Sequence, residues 1–414
     1  MLLSSFTTNF SLMVTLGLLS QAPIAFGAKA TQIKISTNYS IGSSKAYGKI
    51  ELGGFSGLAL SPKESTKNTL TFYSLTDRGP NAKKLDFTGD GHPDRPFILP
   101  TYTPLLLKIV YDVKSKTAKV TDKIPLIKPN SASKISGLPN VDRARFKENY
   151  DETPVQTDGS RLQFDTWGLD PEGIAVDENG DFWVSEEYGP SILKVSKEGK
   201  IVNRWSPSVS YNATYEVRGG QQTLPKIFGK RRLNAGFEGL AISGTTLFAF
   251  LQRPIPTTPK NKFIRVLAFS TDKKKTEAVF LYPLDKESKK IGGATTLDDG
   301  SIAVLEHSGE KGKKAYQKIY VTNFKSATNV ISHDESLETD AQKISKVKVA
   351  SKKLLHDVTK YGVYLSEKPE GIAYFGDGKI ALVNDNDFNL ANIFNEKAQK
   401  EDQEENLFII LSDK

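Results

Sequence analysis

The sequence predicts an all-β chain folded as a single β-propeller of about five to six four-stranded blades, closed by its N- and C-terminal strands. The first observation behind this is a recurring phrase. It reads Pro171-Glu-Gly-Ile-Ala175, Phe237-Glu-Gly-Leu-Ala241 and Pro369-Glu-Gly-Ile-Ala373, with a relative at Phe55-Ser-Gly-Leu-Ala59 and a faded copy at Ile291-Gly-Gly-Ala294. Wide, uneven spacing is the mark of similar modules separated by loops of varying length. The second observation is that each copy opens a hairpin. Asp177-Glu-Asn-Gly180, Ser243-Gly244, Asp298-Asp-Gly300 and Gly376-Asp-Gly378 each separate two apolar runs, and such turns are strong hairpin signals. The third is that two more strands follow most hairpins.

Taken in order, the first module joins Leu58–Leu60 and Leu70–Tyr73 with Leu105–Val113 and Ala118–Leu126. The second continues through Ile192–Val195 and Ile201–Trp205, the third through Phe263–Phe269 and Ala278–Leu284, and the fourth through Ile319–Asn323 and Val347–Leu354. The fifth ends on Leu407–Leu411, which leaves its fourth strand to come from Gln32–Thr37 or Gly48–Leu52. The stretches 128–165 and 206–235 are rich in Pro, Asn, Gly and charge. They read as insertions over one face, or as room for a sixth blade.

Leu2–Ala28 carries no charged side chain and has an apolar heart at Phe10–Leu19, followed by Pro23 and small residues. Residues 1–30 therefore read as a signal peptide, with residues 31–414 as the propeller. A secreted or periplasmic protein without a membrane span after cleavage is expected. The 414 residues contain no cysteine, which excludes thiol catalysis and Cys-ligated zinc. The net charge of +8 comes from scattered lysine runs such as Lys273–Lys275, which read as solvated turns; no nucleic-acid partner is expected, and a monomer is. No Gly-x-Ser-x-Gly elbow, His-Glu-x-x-His helix or phosphate-cradling loop is present.

In an antiparallel hairpin the start of strand one and the end of strand two lie at the same end. One mouth should therefore collect Asp77, Arg78, Glu172, Glu186, Glu187, Tyr188, Glu238, Arg253, Glu306, His307, Glu370, Asn384, Asp385, Asn386 and Asp387. Carboxylates held close share protons, pair with arginine, or bind a cation. Glu172, Glu238 and Glu370, with Asp77 and Asp387, are the candidate ligands for Ca²⁺, a cation suited to hard oxygen donors. Arg78 and Arg253, helped by Tyr188, Asn384 and Asn386, are candidates to hold an anionic or ester substrate. Glu187, Asp385, Glu186 and His307 are the candidate acid–base groups. The alternative use of the phrase glutamates is to lock neighbouring blades through backbone N–H groups. A separate loop, Asp86-Phe-Thr-Gly-Asp-Gly-His-Pro-Asp94, fits the first part of a calcium loop, or else an Asp-rich turn, and lacks the closing Glu.

Thr76–Asn81, Gly168–Ala175, Phe182–Pro190, Gly236–Ala241 and Leu382–Phe388, with Ser136–Asn140 and Asp151–Pro154, resemble the phytase-like family, also described as esterase-like activity of phytase. The likeness covers nearly all of 45–412. It implies an exported propeller grouped by name with calcium-dependent enzymes that cleave phosphate monoesters. Ser56 and Gly292 depart from the pattern by lacking the acidic residue, which leaves three ring glutamates. A propeller that binds a ligand or cell-envelope partner without chemistry, and a sugar-lactonase-like metal propeller, are the other functions open at this point.

Overall fold

A computed structural model describes residues 29–412 apart from 46, 147–148, 208–218, 259–260 and 391–403. The predicted signal peptide lies outside the described residues up to Ala28. Five blades form the ring. The first comprises Phe55–Leu60, Thr69–Thr76, Leu105–Asp112 and Thr117–Pro125. The second comprises Pro171–Val176, Phe182–Glu186, Ser191–Val195 and Ile201–Pro207. The third comprises Phe237–Ser243, Thr246–Leu251, Phe263–Ser270 and Lys275–Pro283. The fourth comprises Lys290–Thr296, Ile302–His307, Gln317–Thr322 and Lys353–Asp357. The fifth joins Pro369–Tyr374, Lys379–Asn384 and Leu407–Ser412 to the N-terminal strand Lys29–Lys34, whose Lys29 lies opposite Ser412 and Lys34 opposite Leu407. The two chain ends thus share one blade. Gly48–Glu51, the other candidate for the closing strand, pairs instead with Ser40–Ser44.

The described residues hold no sixth blade. Gln221–Leu224 adds a parallel fifth strand to the second blade, and Thr153–Val155 pairs in parallel with Asp94–Pro96. The fourth strand of the fourth blade also begins later than the apolar run Val347–Leu354 predicts. Val347 and Val349 pack against the hydrophobic core around the third blade, where Ala350 N–H donates to Leu281 O and Val330 N–H to Val279 O. That run covers a neighbour's edge instead of extending its own sheet.

The phrase is a β-bulge. Pro171 lies opposite Glu186 and Gly173 opposite Ser185, which leaves Glu172 as the extra residue. Glu238, Gly292 and Glu370 are the extra residues of their blades in the same way, and the first blade shifts between Ser56 and Leu58. A bulge re-aims the side chain of the inserted residue. The glycine that follows lets the inner strands approach. A Cβ on Gly173 would stand 2.5 Å from the Glu238 carbonyl oxygen, and one on Gly57 2.5 Å from that of Glu172. The remaining phrase glycines abut the next inner strand in turn, which completes the circle.

Aromatic side chains fill the wedges between blades. Tyr73 and Phe182 lie 4.6 Å apart, Trp205 and Phe269 5.1 Å, and Phe72 and Phe408 5.2 Å between ring centroids. Buried arginines then tie the long connections down, in a chain without disulfides. Fully buried Arg265 donates to both Glu338 oxygens at 2.7 and 2.9 Å and to the His333 carbonyl at 2.8 Å. Arg204 binds Glu186 at 3.1 Å and Asn140 at 3.0 Å, and Arg231 binds Asp151 at 2.7 Å.

Candidate functional site

The bulges deliver Glu172, Glu238 and Glu370 to the propeller axis, where one carboxylate oxygen of each lies within 4.8 Å of the others. All three are buried. Glu172 Oε2 and Glu238 Oε1 have no hydrogen-bond partner, while Glu370 faces Lys290 Nζ at 3.4 Å. Burial, then repulsion from Glu238, holds Glu172 well above the usual carboxylate range. Burial, then Glu370, pushes Glu238 up to about 8. Glu172 belongs to a second close group with Asp170 and Glu187, both pushed up to about 7 by burial and neighbouring carboxylates, against the pull of Arg78. Asp77, Asp385 and Asp387 form a third group. Burial, then Asp170, raises Asp77, and burial, then Asp387, raises Asp385. Burial acts to raise Asp387 as well, but Lys368 holds it below its ordinary value.

These groups border a cavity of about 490 Å³ whose walls also carry Arg78, Lys84, Arg95, Arg232, Arg253, Lys290 and Lys368. Lys368 pairs with Asp385 at 2.7 Å and with Asp387. Arg78 is held by Asp170 at 3.1 Å and Glu152 at 3.2 Å. Arg95 engages Glu152 at 3.0 Å. Arg253 stands exposed at the rim and donates from Nε to Gln252 Oε1 at 3.2 Å. Buried carboxylates and cationic side chains share the walls, with Arg78, Arg95 and Lys290 buried as Glu172 is. The carboxylates could hold a divalent cation and the cationic side chains an anionic group.

Most of the predicted rim meets there: Asp77, Arg78, Glu172, Glu187, Arg253, Glu370, Asp385 and Asp387 line the cavity, and Glu238 joins the axial group. The structure places the other six elsewhere. Glu186 does not reach the cavity, because successive strand residues point to opposite faces. Glu187 turns to the mouth and Glu186 turns inward to Arg204 and the Tyr188 N–H. Tyr188 is buried with its hydroxyl donating to the Gly137 carbonyl at 2.6 Å, and it is not among the residues that line the cavity. Asn384 donates to the Glu405 carbonyl and accepts from Leu407 N–H. Asn386 accepts from Gly54 N–H at 3.0 Å and donates to the Glu404 carbonyl at 3.1 Å, sewing the ring shut. His307 is fully buried against Gly292, and burial, then Lys290, holds its imidazole well below the ordinary value. Its Nδ1 accepts from the Gly309 N–H at 3.3 Å, and Glu306 beside it binds Lys352 and Tyr282.

The Asp86–Asp94 loop is a turn closed on itself. Asp86 accepts from the N–H groups of Asp90 and Gly91, Asp94 accepts from Thr88, and Asp90 binds Arg143. Its carboxylates are spent on the loop and form no ligand group of three among the described residues.

Sequence reasoning missed Lys290, Lys368 and Asp170. The signal lay one residue before the phrase, where the five modules carry Gly54, Asp170, Gly236, Lys290 and Lys368. The fourth module loses its glutamate at Gly292 and gains a lysine at 290. Glu152 sits in the insertion motif Asp151–Pro154, whereas Lys84, Arg95, Arg232 and Asn234 reach the cavity from connections with no repeat to mark them.

Residues 50–388 match the phytase-like family, described as esterase-like activity of phytase. An uncharacterized secreted protein of Arthroderma benhamiae is 37% identical over a segment that spans 23% of this chain and 22% of that protein. The match therefore covers about a fifth of the relative's length. Among solved structures, a luciferin-regenerating enzyme is similar at 8% identity and TM-score 0.36, covering 92% of this chain and 95% of that one. The PQQ-bound aldose sugar dehydrogenase of Streptomyces coelicolor is similar at 11% identity and TM-score 0.36, covering 93% and 99%. Likeness so distant carries no argument about what this chain does. The family match spans all five copies of the phrase and all three acidic groups of the mouth, and the chain belongs to the phytase-like family.

Proposed function

We propose that the mouth is a calcium-assisted hydrolytic site for a phosphate or other anionic ester. The observation that carries this reading is the axial trio, whose buried, unpartnered Glu172 Oε2 and Glu238 Oε1 lie beside a third carboxylate. Unpaired buried carboxylate oxygens are costly, and a hard cation satisfies them. Glu172, Glu238 and Glu370 would hold the ion, with Asp77 and Asp387 as further oxygen donors nearby. A divalent cation, when bound, supplies stabilisation for negative charge that develops on the reacting oxygens. Arg253, Lys290 and Lys368 attract and orient the anionic group. Glu187 sits at the cavity wall, and its raised proton affinity, near 7, suits a general base at neutral pH. Asp385, paired with Lys368, is the second acid–base candidate.

Hydrolysis of p-nitrophenyl phosphate and p-nitrophenyl acetate, with calcium or with EDTA, tests the chemistry. Turnover lost in EDTA and restored by calcium is expected. Retained calcium binding without turnover of any ester would reassign the mouth to ligand binding. The pH dependence of stability is a second check. Asp170, Glu187 and Glu238 bind protons more tightly folded than unfolded, so the metal-free fold loses stability as pH rises from about 4 through 8. Calcium competes with those protons. Its effect on the melting temperature should therefore be small at pH 5 and several degrees or more at pH 8. An equal effect at both values would contradict the assignment.

We also propose that the chain is exported, supported by the uncharged Leu2–Ala28 segment and by its secreted relative. The mature mass should lack the first 27 to 30 residues. An intact mass after passage through a secreting host would contradict this.

A further inference from the structure

Gln252 directly follows the second strand of the third blade and is buried. Its backbone is fixed on both sides, N–H to the Gly236 carbonyl at 2.8 Å and carbonyl to the Ile291 N–H at 2.9 Å, so it bridges the third and fourth blades. Its amide Nε2 donates to Glu187 Oε1 at 2.8 Å and to Glu238 Oε2 at 2.9 Å. Its Oε1 accepts from Arg253 Nε at 3.2 Å. With both carboxyls ionised this orientation of the amide is required, since a flip would set an oxygen against two carboxylates and an NH₂ against a guanidinium. Each carboxylate is thereby given one occupied and one remaining oxygen. Glu238 keeps Oε1, which has no partner, and Glu187 keeps its second oxygen at the cavity wall.

Resting on the cation-site reading above, we infer that Gln252 is a positioning residue that sets the site's cation affinity by holding Glu187 and Glu238 apart with one chosen oxygen of each free. A buried donor shared by two like charges offsets their repulsion, which no apolar residue of the same shape can do. The partners behind metal ligands act in this way, and their loss costs about 10–100-fold in affinity.

Calorimetric titration of the full chain with calcium at pH 8 tests this, with Gln252→Met, Gln252→Glu and Arg253→Met beside the wild type. Gln252→Met keeps length and volume, and its calcium affinity should fall at least about tenfold. Gln252→Glu keeps the shape but turns the donor into a charged acceptor, so its affinity should fall further. Arg253→Met, at the exposed rim, leaves the core intact, and a drop of about two- to threefold is expected from the loss of the amide's anchor. Unchanged affinity in Gln252→Met and Arg253→Met overturns the inference while leaving the cation site standing. A rise in Gln252→Glu, as a mere extra ligand would give, also overturns it. A wild type that takes up no calcium sinks the cation site itself, and the inference with it.

Discussion

Glu172→Gln is expected to remove the calcium response and, at the same time, to raise the melting temperature of the metal-free protein at pH 8. Glu172 is the one carboxylate common to two of the acidic groups, facing Glu238 and Glu370 on one side and Asp170 and Glu187 on the other. Burial and those four neighbours all act against its charged form. Glutamine is a close mimic of the protonated acid, so the repulsion disappears and the metal-free fold gains. The same change removes a charged ligand, and charge count tunes calcium affinity over decades, so affinity should fall by about two to three orders of magnitude. Thermal melts with calcium and with EDTA read both effects. If Glu172 only locks blades, Glu172→Gln should lower the metal-free melting temperature, which is the opposite sign.

Gly173→Ala is expected to destabilise the ring strongly. The new Cβ would stand 2.4 Å from Ser185 Oγ and 2.5 Å from the Glu238 carbonyl oxygen. The second contact is backbone in the adjacent blade, which cannot move without opening the ring. Overpacking of this kind costs about 1–3 kcal/mol and at times more. The corresponding Gly239 leaves more room, since its nearest neighbour is the Gly293 carbonyl carbon at 3.1 Å. Urea midpoints should therefore rank wild type above Gly239→Ala above Gly173→Ala. The reverse order would show that the inner strands are not held together at these glycines.

The phrase carried most of the fold because one feature does two things. Its glycine lets inner strands touch, and its glutamate occupies the bulge that faces the axis. Both constraints are local and repeat with each blade, so they survive in the sequence. What repeats once per blade was legible, and what depends on a neighbour was not. Val347 and Val349 have the apolar character of a strand but cover the edge of another blade, and nothing nearby in the chain distinguishes the two uses. Glu186 and Glu187 are adjacent in sequence and opposite in space, which strand alternation alone would have separated. Asn384 and Asn386 look like rim donors, yet they spend their amides on closing the ring against chain about 20 and 330 residues away. Lys290 and Lys368 needed the five modules aligned one residue before the phrase.

The location of a bound cation tests the central claim most directly. Crystals grown with calcium and soaked in terbium should show anomalous density on the propeller axis between Glu172, Glu238 and Glu370. Density confined to the Asp86–Asp94 loop, or an axis left empty while the ion binds elsewhere, would contradict it.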